Sequence, residues 1–120
     1  MDNLRTVVHQ YLLTLHPRVY FIDTPSDAIF PYIVYKLEIP DDDGEFTKLV
    51  DLEIDGWDDK DDTTALEDMM SSIDNLNKKV ISSADLTVIF YSNVKGPLTD
   101  PDPTLNRRKY NYLGKLFERS

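Results

Sequence analysis

Residues 46–55, FTKLVDLEID, place Phe46, Val50, Leu52 and Ile54 on one side of an extended chain and Asp51, Glu53 and Asp55 on the other. Side chains of a β-strand alternate between faces with a period of two, so this segment is a strand with one buried face and one wet, negative face. Just before it, Asp41 to Glu45 reads DDDGE. Neither helix nor strand favours that run, which suits a solvated hairpin tip. Tyr32 to Ile39, upstream of the tip, is rich in aromatic and β-branched residues and is closed by Pro40. It is therefore the strand that pairs with the first.

Working outward, Arg18 to Ile22 is a short strand, followed by turn chemistry at Asp23, Pro25 and Ser26. Ahead of it Leu4, Val7, Val8, Tyr11, Leu12 and Leu15 recur at helical spacing until Pro17 ends the pattern. Downstream, Asp58 to Asp62 is a loop, and Thr64 with Glu67 predicts a capping box opening a second helix. Leu66, Met69, Met70, Ile73 and Leu76 are its buried stripe; the helix stops near Asn77, with Lys78 and Lys79 complementing its dipole. Leu86 to Tyr91 is a strand. Asn93 to Thr104, carrying Gly96, Pro97, Pro101 and Pro103, is a long loop, and Asn106 to Phe117 is the final strand. These elements predict an α+β fold: an antiparallel or mixed sheet of four to five strands with two helices packed on one face, in a single domain over residues 1–120.

Composition narrows the function. At 41% hydrophobic and 29% charged residues the chain is of the folded, water-soluble kind, and no apolar run approaches the length of a membrane span. Asp2 and Asn3 lead directly into the helical pattern, so no secretory leader is expected. The absence of cysteine excludes disulfides and thiolate chemistry. A formal charge of −9 repels a polyanion, which disfavours ordinary nucleic-acid binding. The acid is concentrated in Asp41 to Glu45 and Asp51 to Asp62, whereas Arg107, Arg108, Lys109, Lys115 and Arg119 make the C-terminal end basic. Such a subunit can pair with copies of itself; a solvated surface is the plainer alternative.

No motif points to catalysis. Asp51, Glu53, Asp55, Gly56 and Asp62 match the offsets of an EF-hand loop, but Leu52 and Ile54 alternate as in a strand and the last position lacks the bidentate Glu. His9 and His16 lack a third ligand at metal spacing and read as surface or helix-end residues. The serines at 71, 72, 82 and 83 have no glycine-rich elbow, and the four glycines form no phosphate-cradling loop. Carboxylates are too plentiful for any pair to stand out as acid and base. Tyr35, Trp57, Phe90 and Tyr91 are read as core or sheet-face packing rather than a ligand-stacking patch. The expectation is a protein without enzymatic activity, metal or cofactor.

The run Arg18 to Tyr35, RVYFIDTPSDAIFPYIVY, resembles the opening of phage tail-terminator, or tail-completion, proteins. The likeness extends over the N-terminal helix, the Pro31-Tyr32 strand, the acidic LEIDGWD strand, the amphipathic helix and the arginine-led C-terminal strand, from Asn3 to about Phe117. The resemblance implies a subunit that forms a six-fold ring on the last ring of tail-tube protein, stops tube growth and presents a surface to head completion (stopper) proteins. It further implies a place at the head-proximal end of a virion tail after synthesis in the host cytoplasm, with DNA passing through the ring unbound. A channel that DNA traverses without sticking should be negative, which makes Asp51, Glu53 and Asp55 candidate lining residues. Arg107, Arg108 and Tyr110 are candidate interface anchors, since Arg and Tyr are enriched at hot spots. Two other readings compete: an acidic soluble adaptor or inhibitor that binds a basic protein partner, and a metal-dependent hydrolase using the acidic loop.

Overall fold

The computed structural model describes residues 2–39, 47–98 and 104–118. In chain order the elements are α1 (Asp2–Leu15), β1 (Val19–Phe21), β2 (Tyr32–Glu38), β3 (Thr47–Asp58), α2 (Thr64–Ile73) with a 3-10 turn (Asp74–Leu76), β4 (Val80–Ser82), β5 (Leu86–Leu98) and β6 (Asn106–Glu118). They form a mixed sheet in the order β1-β2-β3-β6-β5-β4, in which β1 runs parallel to β2 and every other pairing is antiparallel. The strands either side of the Asp41 to Glu45 tip pair as the alternation requires, Tyr35 opposite Ile54 and Leu37 opposite Leu52. The tip itself lies outside the described residues.

Both helices cover one face of the sheet. Leu4, Val8 and Leu12, one turn apart on α1, are fully buried, and Leu66, Met69, Met70 and Ile73 do the same for α2. They pack on Ile33, Tyr35, Val50, Leu52, Ile54, Val88, Phe90, Tyr112 and Leu116, the inward side chains of β2, β3, β5 and β6. Burying each large apolar side chain contributes about 1.5–3 kcal/mol. Two glycines set the contact distances. A Cβ on Gly56 would collide with Met70 Sδ and lie 2.9 Å from Met69 Cε; one on Gly114 would lie 2.7 Å from a ring carbon of Phe90. Gly56 thus lets α2 settle onto β3, and Gly114 makes room for the Phe90 ring.

Three expectations need correction. The sheet has six strands, not four to five: β4 has only three residues, and only Ile81 of them is buried, so no periodic signal marks it. After the 3-10 turn, which ends at Leu76, Lys78 adopts φ 65° and donates its N–H to Phe90 O, which turns the chain into β4. Second, Asn93 to Leu98 is strand rather than loop. A bulge between Ser92 and Val94 keeps β5 paired with β6 as far as Leu98 opposite Arg107. Beyond Ile89, where β4 ends, β5 has a strand neighbour on one side only among the described residues, and a sheet edge tolerates Pro97. Third, the capping box does not form. Thr64 donates both its N–H and its hydroxyl to Asp62 Oδ1, at 2.9 and 2.6 Å, while Glu67 turns away to Arg108. Those two hydrogen bonds hold the Asp62 carboxyl below the usual carboxylate range.

Candidate functional site: the open face of the sheet

The face turned away from the helices carries the side chains the sequence singled out. On β3 these are Leu49, Asp51, Glu53, Asp55 and Trp57; opposite them on β6 stand Lys115, Leu113, Asn111, Lys109 and Arg107. Arg107, Lys109 and Asn111 each reach past their direct neighbour to the acid two positions earlier on β3. Arg107 Nη2 donates to Asp55 Oδ2 at 2.9 Å, Lys109 Nζ meets Glu53 Oε1 at 2.7 Å, and Asn111 Nδ2 donates to Asp51 Oδ1. Diagonal neighbours across an antiparallel pair are within reach of long side chains, so this ladder is a product of register. Asp51, Glu53 and Asp55 therefore lie on one face, as the alternation requires, but each is matched by a donor. The face is charge-compensated where the sequence suggested a bare negative strip.

The ladder is buried at one end. Asp55 is only 6% exposed, and the Arg107 guanidinium, 4.4 Å from the Trp57 ring centroid, seals it. Trp57 in turn lies nearly parallel to Tyr32, with centroids 6.5 Å apart. Asp55 Oδ1, Trp57 Nε1, Arg107 Nε and, on the helix side, Asp58 Oδ2 are buried without a hydrogen-bond partner among the described residues. Lys109 is half-exposed, and its hydrogen bond to Glu53 raises its pKa.

The proposed anchors Arg107, Arg108 and Tyr110 are divided by the strand's alternation. Arg107 belongs to the ladder. Arg108 lies on the opposite face, donating Nε to Glu67 Oε1 of α2 at 2.6 Å. Tyr110, also on that face, packs beside Tyr112, with Lys95 Nζ 5.6 Å from its ring centroid. Lys95 also pairs with Asp74, which accepts the Tyr112 hydroxyl at 2.8 Å. Burial, then that hydrogen bond to a carboxylate, raises the Tyr112 pKa far above its ordinary value.

Lys109, Asn111 and Trp57, which complete the ladder, were not among the sequence candidates, although the parity of β6 marks the first two. Also unforeseen is the apolar character of the rest of the face. Leu49, Val80, Tyr91, Val94, Leu113 and Phe117 all point outward from it. Away from this face, a cavity of about 410 Å³ is lined by Arg5, Thr6, His9, Gln10, Phe21 and Tyr35. His9 Nδ1 lies 2.8 Å from the Tyr35 hydroxyl, and burial pushes Tyr35 up to about 12. His16 is bonded to Pro31 O at 3.1 Å, and burial lowers its pKa. The EF-hand-like acids run along an extended strand, so Asp51 and Asp55 are separated by about 13 Å at the usual strand rise and do not enclose a cavity. Among the described residues no three His, Cys, Asp or Glu side chains are grouped to hold a metal ion, and no helix is long and apolar enough to cross a membrane.

Fold and site together define an α+β protein whose mixed sheet is covered by helices on one side and open on the other. No protein-family model and no curated protein matches the sequence. Among solved structures, a chain of the "Virion of native gene transfer agent (GTA) particle" shares the fold, with a TM-score of 0.75 at 15% identity over 97% of this chain and 95% of that one.

Proposed function

We propose that this protein is a structural subunit of a phage-like particle, with no enzymatic activity and no cofactor. More specifically, it caps the tail tube as a ring, ends tail polymerisation and joins tail to head. The observation that carries the reading is the end-to-end likeness to a chain of a gene transfer agent virion, 97% of one chain against 95% of the other. A match that leaves almost nothing over on either side concerns the whole domain, and it supports a phage-like particle as the setting of this protein. Its partners are further copies of itself, the tail-tube protein and the head completion protein.

In the ring, the face that carries Asp51, Glu53 and Asp55 lines the channel, with Asn111, Lys109 and Arg107 beside the three acids, so DNA meets a surface whose negative charge is largely compensated. The exposed Asp59, Asp61 and Asp62, at the end of β3, add the repulsion that the compensated ladder lacks. Electron microscopy of the purified protein, alone and mixed with tail-tube protein, tests the role. Closed rings or blunt, length-limited tubes are the expected result. Tubes that grow unchanged in its presence would leave the acidic adaptor as the better account.

A further inference from the structure

The exposed apolar side chains fall on two separate parts of the molecule. Leu49, Val80, Tyr91, Val94, Leu113 and Phe117, each 39–56% exposed, share the open face across β3, β4, β5 and β6. Together they expose several hundred Å², the scale at which an apolar patch on a protein surface marks an interaction site. Lys115 stands among them, opposite Leu49 on one side and Ile89 on the other, exposed and without an ion pair among the described residues. An unpaired cation surrounded by apolar surface calls for an occupant that is both apolar and acidic.

The loop between β1 and β2, at the other edge of the sheet, has that character. Ile22 and Ile29 are 51% and 67% exposed, and Asp23 and Asp27 beside them are exposed acids with no basic residue in the loop. The loop is held in place: Ile22 donates its N–H to Tyr35 O at 2.9 Å, and Arg18 Nε and His16 Nε2 bind Pro31 O. Ile22 has φ 65°, a conformation that a β-branched residue adopts only under constraint. Its side chain is left 51% exposed at this edge of the sheet.

We infer that the β1–β2 loop of one copy docks on the apolar half of the open sheet face of a second copy, with Asp23 and Asp27 meeting Lys115. The two surfaces differ and sit at different edges of the sheet, so the contact is heterologous, and repetition closes a ring or extends a filament. The charged half of the face, from Asp51 to Trp57, stays uncovered. The inference rests on the self-assembling reading above and names the surfaces it uses.

The absence of cysteine allows a direct test. Ile29→Cys and Leu113→Cys are made singly, checked for folding by circular dichroism, and oxidised alone and mixed, both free and in the presence of tail tubes. A disulfide-linked dimer in the mixture, with little in either variant alone, is expected. Lys115→Glu should reduce its yield at least tenfold, and Asp23→Lys with Asp27→Lys in the partner should restore it. Dimers from Leu113→Cys alone would mean that two sheet faces meet, and no cross-link under any condition would mean that the loop does not dock; either result overturns the inference. Cross-linking without capped tubes would leave the contact standing and remove the terminator role, whereas capped tubes without cross-linking would do the reverse.

Discussion

Replacing Arg107 by Ala removes the cation hydrogen-bonded to a nearly buried carboxylate. Asp55 is 6% exposed, its Oδ2 accepts from Arg107 at 2.9 Å, and its Oδ1 has no partner among the described residues. Leaving a buried charge unpaired costs about 3–5 kcal/mol when no water reaches it. The Arg107 side chain is 25% exposed, so the space it vacates admits water, and the cost falls to about 2 kcal/mol. Loss of the guanidinium over Trp57 adds about 0.5–1 kcal/mol. The total, about 3 kcal/mol, corresponds to a fall of about 12 °C in Tm for a domain of this size. Lys109→Ala, which breaks the half-exposed pair with Glu53 on the same strand, should cost no more than about 1 kcal/mol. Urea unfolding of both variants, with m unchanged, measures the difference. Equal costs would show that Asp55 is solvated in the folded state and refute the reasoning. Charge reversal at Arg107 is for the same reason a poor test of assembly, since it sets two like charges together inside the monomer; Lys115, exposed and without an ion pair among the described residues, is the cleaner position.

Gly114→Ala places a methyl group 2.7 Å from the fully buried Phe90 ring and should cost about 2 kcal/mol, most of it recovered in the double variant with Phe90→Leu; additive losses in the urea cycle would contradict the packing. Tyr35 and Tyr112 have pKa values raised by burial, so the folded state keeps protons that the unfolded state releases. Their contribution to stability is complete below the ordinary tyrosine value of 10.0 and is lost as pH rises above it, for Tyr35 up to about 12. In an alkaline titration followed by tyrosinate absorbance, two of the seven tyrosines should ionise only as the chain unfolds; smooth titration of all seven with the fold intact would refute this.

The local patterns were legible because they are properties of short segments. α1, the alternation of Val50, Leu52 and Ile54, and the stripe of α2 each bury their side chains where the spacing places them. β4 was not legible, because three residues held by pairing with β5 carry no period, and the far half of β5 was hidden by Gly96 and Pro97, which only a sheet edge accommodates. The Thr64 and Glu67 pattern of a capping box lost to tertiary contacts, since Arg108 offered Glu67 a charged partner and Asp62 was already in place for Thr64. The charge of the open face lay furthest from what one segment can reveal. The sequence by itself determined that Asp51, Glu53 and Asp55 share a face, because strand parity is local. Only the tertiary structure decided that Arg107, Lys109 and Asn111 stand beside them, because the register of β3 on β6, more than 50 residues away along the chain, sets which charges meet.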